Sequence, residues 1–239
     1  ALVERVLADE CDMRDGRPVR RACGRRVAAV MPVHTLGVPA DMDALVAVAR
    51  RHGLKVVADA AAALGSRLGE RRVAEMGADL SVISFNGNKT VTAGGGGAVV
   101  GADPELLATV RHLTTTARVG ADYLHDRVGF NYRMTNLQAA VGCAQLERLD
   151  EFVAAKRRIR AAYDAAFAGT PGLAPFPQPP GRLSECWFSG FVVESPPCPP
   201  VPALRDALRR ADIDARPFWR PMHLQPSFAE APRTASPVA

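Results

Sequence analysis

Short β-branched runs alternate with amphipathic stretches along this chain, and that alternation predicts an α/β layer architecture. Residues 26–31 (RVAAVM) read as a strand. Asp41 then caps a helix whose apolar face is Met42, Leu45, Val46, Val48 and Ala49, and Gly53 ends it. Residues 54–58 (LKVVA) form the next strand, followed by Asp59 and an alanine-rich turn of helix closing at Gly65. Further strands are predicted near residues 80–85 and 98–100. Their apolar runs lack clean alternation, as expected of parallel strands covered on both faces.

The second half is punctuated differently. Asp103-Pro104-Glu105 is a cap with proline at the first helical position, opening a helix toward Leu113. Thr135 and Gln138 have capping-box spacing and start a long helical region through Leu149 to Phe167, closed by Gly169. Residues 171–181 and 196–202 are proline-rich and read as loops or extended spacers. Between them, residues 187–193 (WFSGFVV) are a strand candidate, and 201–211 follow as a short amphipathic helix. The expected organisation is a large domain over residues 1–150, with a mixed, mainly parallel sheet covered by helices, and a small C-terminal α+β domain over 151–239.

Composition narrows the class. With 239 residues, 48% hydrophobic and 23% charged, the chain can bury a sizeable core and is neither a disordered segment nor a stapled mini-protein. No run approaches the roughly 18 apolar residues of a membrane span, and the opening lacks a basic region followed by an apolar one, so the expected location is the cytoplasm. The five cysteines are odd in number, scattered and never spaced C-x-x-C, which reads as reduced structural thiols. The net charge of +5 comes from arginines spread along the chain without interleaved aromatics, so nucleic acid is not an expected partner. Lysine occurs only at Lys55, Lys89 and Lys156. Where surface cations are nearly all arginine, a lysine inside a glycine-rich, uncharged segment calls for a chemical explanation, and Lys89 is that residue.

Familiar signatures fail around it. Residues 87–90 lack the glycine directly before the lysine that a P-loop needs, and the run Gly94-Gly95-Gly96-Gly97 does not complete a dinucleotide fingerprint. No H-E-x-x-H or G-x-S-x-G occurs. What remains is Asp59 and Lys89, each just past the carboxyl end of a strand, where α/β sheets bind ligands. An amine that can condense with an aldehyde, paired with a carboxylate for a pyridine nitrogen, suits pyridoxal 5'-phosphate (PLP). Each residue also has a plainer reading, a helix cap for Asp59 and a solvated surface charge for Lys89.

Four segments carry a more specific signal: residues 32–45 (PVHTLGVPADMDAL), 56–66 (VVADAAAALGS), 84–100 (SFNGNKTVTAGGGGAVV) and 125–150 (HDRVGFNYRMTNLQAAVGCAQLERLD). Together they resemble the DegT/StrS family of PLP-dependent nucleotide-sugar aminotransferases, and weaker similarity runs on through Ala215-Arg216-Pro217 and Pro221-Met222-His223-Leu224. The NGNK variant resembles the branch acting on UDP-linked 4-keto-6-deoxy-N-acetylhexosamines. The resemblance implies a fold type I transferase that moves an amino group from glutamate to a keto nucleotide-sugar for surface-glycan or aminosugar biosynthesis, in a homodimer with shared sites. It implies Lys89 as the Schiff-base lysine and proton shuttle, Asp59 as partner of the pyridine nitrogen, and Ser84 as a phosphate contact. Asn131 would reach the cofactor phosphate of the neighbouring subunit, Arg133 would grip the glutamate carboxylate, and His223 would approach the nucleotide-sugar. His34 stays outside this set, as a polar group at a strand end.

Two departures stand out. Ala58 and Ala62 occupy places where the family usually has an acidic residue and a Gln, Glu or His. The family's N-terminal Gly-Thr phosphate loop and ring-stacking aromatic find no match, so the chain reads as a fragment lacking both ends. Alternatives are a PLP-dependent sugar dehydratase, which the lysine at position 89 disfavours because that relative carries histidine there, and a non-catalytic or regulatory paralogue.

Overall fold

The computed structural model describes residues 2–234. α1 (Leu2–Glu10) leads into a hairpin of β1 (Cys11–Arg14) and β2 (Arg17–Arg20), turned at Asp15 and Gly16, both at positive φ. β3 (Ala29–Val30) is shorter than the apolar run suggested, because Arg26 is drawn into a bridge with Val19 instead. α2 (Met42–Arg51) starts on Asp41, whose carboxylate accepts the Ala44 N–H at 3.4 Å, and the chain leaves it through Gly53 at φ +61°. β4 (Lys55–Asp59), β5 (Arg67–Leu68), β6 (Arg71–Arg72), β7 (Leu80–Ser84) and β8 (Gly97–Val100) follow.

α3 (Pro104–Thr114) begins at Asp103, whose Oδ1 accepts the Glu105 and Leu106 N–H groups. A hairpin of β9 (Arg118–Val119) and β10 (Leu124–His125) precedes α4 (Asn136–Leu146), where Thr135 and Gln138 form the capping box. The long helical region is two helices, for α5 (Leu149–Phe167) restarts after a turn in which Arg148 pairs with Glu151 at 2.8 Å. β11 (Leu173–Pro175), β12 (Arg182–Leu183), β13 (Phe191–Val193) and α6 (Val201–Arg210) complete the order.

The sheet order is β3-β4-β7-β8, with β3, β4 and β7 parallel and β8 antiparallel to β7. Met42, Val48 and Ala49 of α2 join Leu54, Val56, Ala58, Ile83 and Phe85 in one buried cluster. Each large side chain in it contributes about 1.5–3 kcal/mol relative to exposure. Because β4 and β7 run the same way, both deliver their carboxyl ends to one edge.

Three further expectations are corrected. The alanine-rich stretch after Asp59 is a pair of tight turns, Ala63 N–H to Ala60 O and Ser66 N–H to Ala63 O, without a helix. Residues 173–175, inside a stretch read as loop, pair with β13; Pro175 sits at the strand end, where it removes little of the ladder. The strand expected from Trp187 begins only at Phe191, because Trp187 is held elsewhere by its indole N–H, which donates to Asn88 O at 2.7 Å.

The chain divides into two compact units: one runs to Ala166 and includes Phe176–Gly190, the other holds Phe167–Pro175 and the residues from Phe191 onward. The first therefore extends past the boundary expected at Asp150. Val153 of α5 is buried, and Arg157 donates to the Ser184 and Gly65 carbonyls. The second unit contains the β11–β13 pair and α6, an α+β composition.

Candidate active site

β4 ends at Asp59 and its neighbour β7 ends at Ser84, with Asp59 in register with Val82. The Asp59 backbone is fixed on both sides, its N–H donating to Pro32 O at 2.8 Å and its carbonyl accepting the His34 N–H at 2.9 Å. Asp59 Oδ1 accepts the Ala61 N–H at 3.0 Å, and Oδ2 makes no hydrogen bond among the described residues. Since no helix follows, Asp59 is not a helix cap.

The lysine turn begins two residues after β7. Ser84 Oγ accepts the Asn86 N–H at 3.2 Å, and the Lys89 N–H closes the turn on Asn86 O at 3.0 Å. The Lys89 ammonium is half-buried, 3.5 Å from the centre of the Trp187 ring, and has no hydrogen-bonded or ion-paired acceptor among the described residues. Burial holds this amine below the usual lysine range, with the charges of Glu185 and Asp59 acting in the opposite direction. The other two lysines are engaged: Lys55 pairs with Asp79 at 3.1 Å and Lys156 donates to the Trp187 carbonyl at 3.3 Å.

Several neighbours were not singled out from sequence as part of this site. His34 is 1% exposed, and its Nδ1 accepts the Ala40 N–H at 3.1 Å, which assigns the proton to Nε2. That Nε2 is buried without a partner among the described residues. Burial keeps the imidazole below its usual pKa, and Asp59 counteracts this. Glu185 and Trp187 reach the lysine turn from almost a hundred residues away in sequence. Their signal was a single carboxylate beside a tryptophan in the otherwise uncharged stretch 184–193.

The remaining candidates lie elsewhere. Asn131 and Arg133 are exposed on the segment leading to α4, where Asn131 bridges Thr115 through the backbone. Neither side chain bonds to Asp59, Ser84 or Lys89 of its own chain. The next residue, Met134, lies against Gly96, whose carbonyl accepts the Phe85 N–H at 3.0 Å. A Cβ at Gly96 would come within 2.7 Å of the Met134 side chain, so the glycine run lets this segment approach the end of β7. His223 belongs to the second unit, on a short turn (Met222–Leu224) whose His223 carbonyl accepts from Arg233 at 3.1 Å.

Residues 11–239 match the DegT/DnrJ/EryC1/StrS aminotransferase family over most of the chain. The chain belongs to that family. GDP-perosamine synthase of Vibrio cholerae is 36% identical over 223 residues, covering 92% of this chain and 60% of the relative. The dTDP-3-amino-3,4,6-trideoxy-alpha-D-glucose transaminase of Streptomyces venezuelae is also 36% identical, over 91% of this chain and 56% of its own length. Among solved structures, S. venezuelae DesV in complex with a ketimine intermediate superposes with a TM-score of 0.78 at 34% identity, covering 87% of this chain and 55% of DesV. The α/β architecture is thus that of the fold type I aminotransferases of the family. This chain spans between 55% and 60% of the length of these relatives.

Proposed function

We propose that the protein is a PLP-dependent aminotransferase that moves the amino group of glutamate onto a keto nucleotide-sugar for surface-glycan or aminosugar biosynthesis, acting in the cytoplasm as a homodimer. The observation that carries this reading is the state of the three lysines: among the described residues only Lys89 has an amine without a hydrogen-bonded or ion-paired acceptor, partly desolvated against the Trp187 ring, and it stands one strand away from Asp59. The donor set fits the cofactor, since an amine, a carboxylate with one free oxygen and a strand-end hydroxyl stand at one sheet edge. When bound there, PLP supplies an electron sink beside the carbon that carries the amino group.

The chain's own residues have distinct tasks. Asp59 would accept the ring N–H through Oδ2, the oxygen left unoccupied by the Ala61 bond. Ser84 Oγ–H would donate to the phosphate, since its bond to Asn86 uses the oxygen only as an acceptor. Lys89 has a larger neutral fraction near neutral pH than an ordinary lysine, as both a nucleophile and a proton carrier require. Ala62 offers no side-chain hydrogen bond, so the ring's phenolic oxygen would be served by water or another group. Asn131 and Arg133, exposed and unbonded to their own chain's site, suit the shared-site arrangement in which they serve a second copy's phosphate and the glutamate carboxylate. A cytoplasmic location fits the five free thiols.

The test is amino transfer in the intact protein from ¹⁵N-glutamate to UDP-, GDP- and dTDP-linked keto sugars, read by mass spectrometry. Label appearing in one sugar supports the reading. Binding of PLP and sugar without transfer to any of them favours a non-catalytic relative.

A further inference from the structure

Among the described residues Glu185 is the only carboxylate in the core, 2% exposed. A buried carboxylate is poor support for stability alone, because an apolar residue of similar volume serves as well. Its contacts suggest another purpose. Glu185 Oε2 accepts the Gly65 N–H at 2.7 Å, on the loop after Asp59, and Oε1 accepts the Thr90 hydroxyl at 3.1 Å, on the lysine turn. Its backbone N–H donates to Ser66 Oγ at 3.0 Å, and Ser66 donates on to Gly37 O at 2.6 Å. Gly37, at φ +81°, has no room for a side chain: a Cβ would meet Ala62 O and stand 3.3 Å from Glu185 Cγ.

The opposite flank of the turn is held by the same short segment. Trp187 donates its indole N–H to Asn88 O at 2.7 Å and lays its ring against the Lys89 ammonium. Both neighbours of Lys89 are therefore gripped from residues 185 and 187. The charges facing Lys89 are Glu185 and Asp59, and those facing Glu185 are Lys89 and Lys156; the Arg157 guanidinium flanks it through the Ser184 and Gly65 carbonyls.

We propose that Glu185 is a positioning residue for Lys89: its carboxylate ties the lysine turn to the loop after Asp59 and supplies the buried negative charge that faces the ammonium. This rests on Lys89 being the reactive amine. Burial pushes the Glu185 carboxyl above its usual range, and the hydrogen bonds from Gly65 and Thr90 together with the charges of Lys89 and Lys156 pull the other way, toward the carboxylate.

The test uses the cofactor-free intact protein, so that it reads the amine itself. Lysines are acetylated with limiting acetic anhydride from about pH 7 to 11 and each site is quantified by peptide mass spectrometry. In the unmodified sequence the Lys89 midpoint is expected below the ordinary lysine range. Glu185→Gln keeps an acceptor for the Gly65 N–H and offers Thr90 an amide N–H, so that the hydroxyl accepts where it now donates, but removes the charge; the Lys89 midpoint then falls by a further ~0.5 pH unit or more. An unchanged Lys89 midpoint in folded Glu185→Gln overturns the proposal. If that variant does not fold, Thr90→Val keeps the charge and removes the grip, and the Lys89 midpoint is expected to rise toward that of an ordinary lysine as the turn loosens. No rise overturns the proposal as well. Labelling needs no cofactor, so this outcome is separate from the assignment of Lys89 as the reactive amine, which cofactor attachment at another lysine would overturn.

Discussion

Lys89 and Asp59 were legible as a pair because the scarcity of lysine made one of them conspicuous and because both follow strands that end at the same edge. Sequence alone left each with a bland alternative, and the geometry removes both: Asp59 has no helix to cap, and Lys89 is half-buried against an indole ring. Glu185, Trp187 and the full environment of His34 were not legible, since only folding brings residues 185 and 187 to the turn at 88–90. If Asp59 holds a ring nitrogen protonated, Asp59→Asn keeps the Ala61 bond but loses the charge. Steady-state transamination is expected to drop on the order of 100-fold or more, with circular dichroism unchanged. Turnover near that of the parent would remove Asp59 from the mechanism.

At the level of elements, what reads well from sequence is local chemistry. Asp41, Asp103 and the Thr135–Gln138 box all cap the helices they announced. Asp103→Ala, which orphans two N–H groups of α3, should lower stability by about 0.5–2 kcal/mol in urea denaturation. What reads poorly depends on distant partners. The turns after Asp59 look helical in composition, but the Gly65 N–H is taken by Glu185, 120 residues away in sequence. The β1–β2 hairpin carried an Asp-Gly turn signal at residues 15 and 16 that periodicity alone did not raise. Gly97 shows the reverse case, a glycine fixed by packing, because a Cβ there would run into the Ile83 carbonyl of the paired strand. Backbone cannot yield as a side chain does, so Gly97→Ala is expected to cost roughly 2 kcal/mol or more and to shift the melting temperature down by several degrees.

Across the whole molecule, the segment from Tyr123 to Val141 exposes an unusual amount of apolar surface: Val128 is 84% exposed, Leu137 83% and Tyr132 73%. Phe130 and Tyr132 stack on each other at 5.2 Å within the same segment. An apolar face of this kind, carrying Asn131 and Arg133, is where the proposed homodimer would place its second copy. Mixing Lys89→Ala with Asn131→Ala subunits of the intact protein should then recover activity, because each mixed dimer assembles one complete site. No recovery, with dimers verified by sedimentation, would mean that Asn131 serves its own chain.

Arginine preserves the charge of Lys89 but cannot form a carbon–nitrogen bond with an aldehyde at neutral pH, so the most direct test is where the cofactor attaches. The intact protein is incubated with PLP, reduced with borohydride and digested, and the pyridoxyl group is located by mass spectrometry. The account predicts modification at Lys89 and its loss in Lys89→Arg. A pyridoxyl group on Lys55 or Lys156, or its persistence in Lys89→Arg, would contradict it.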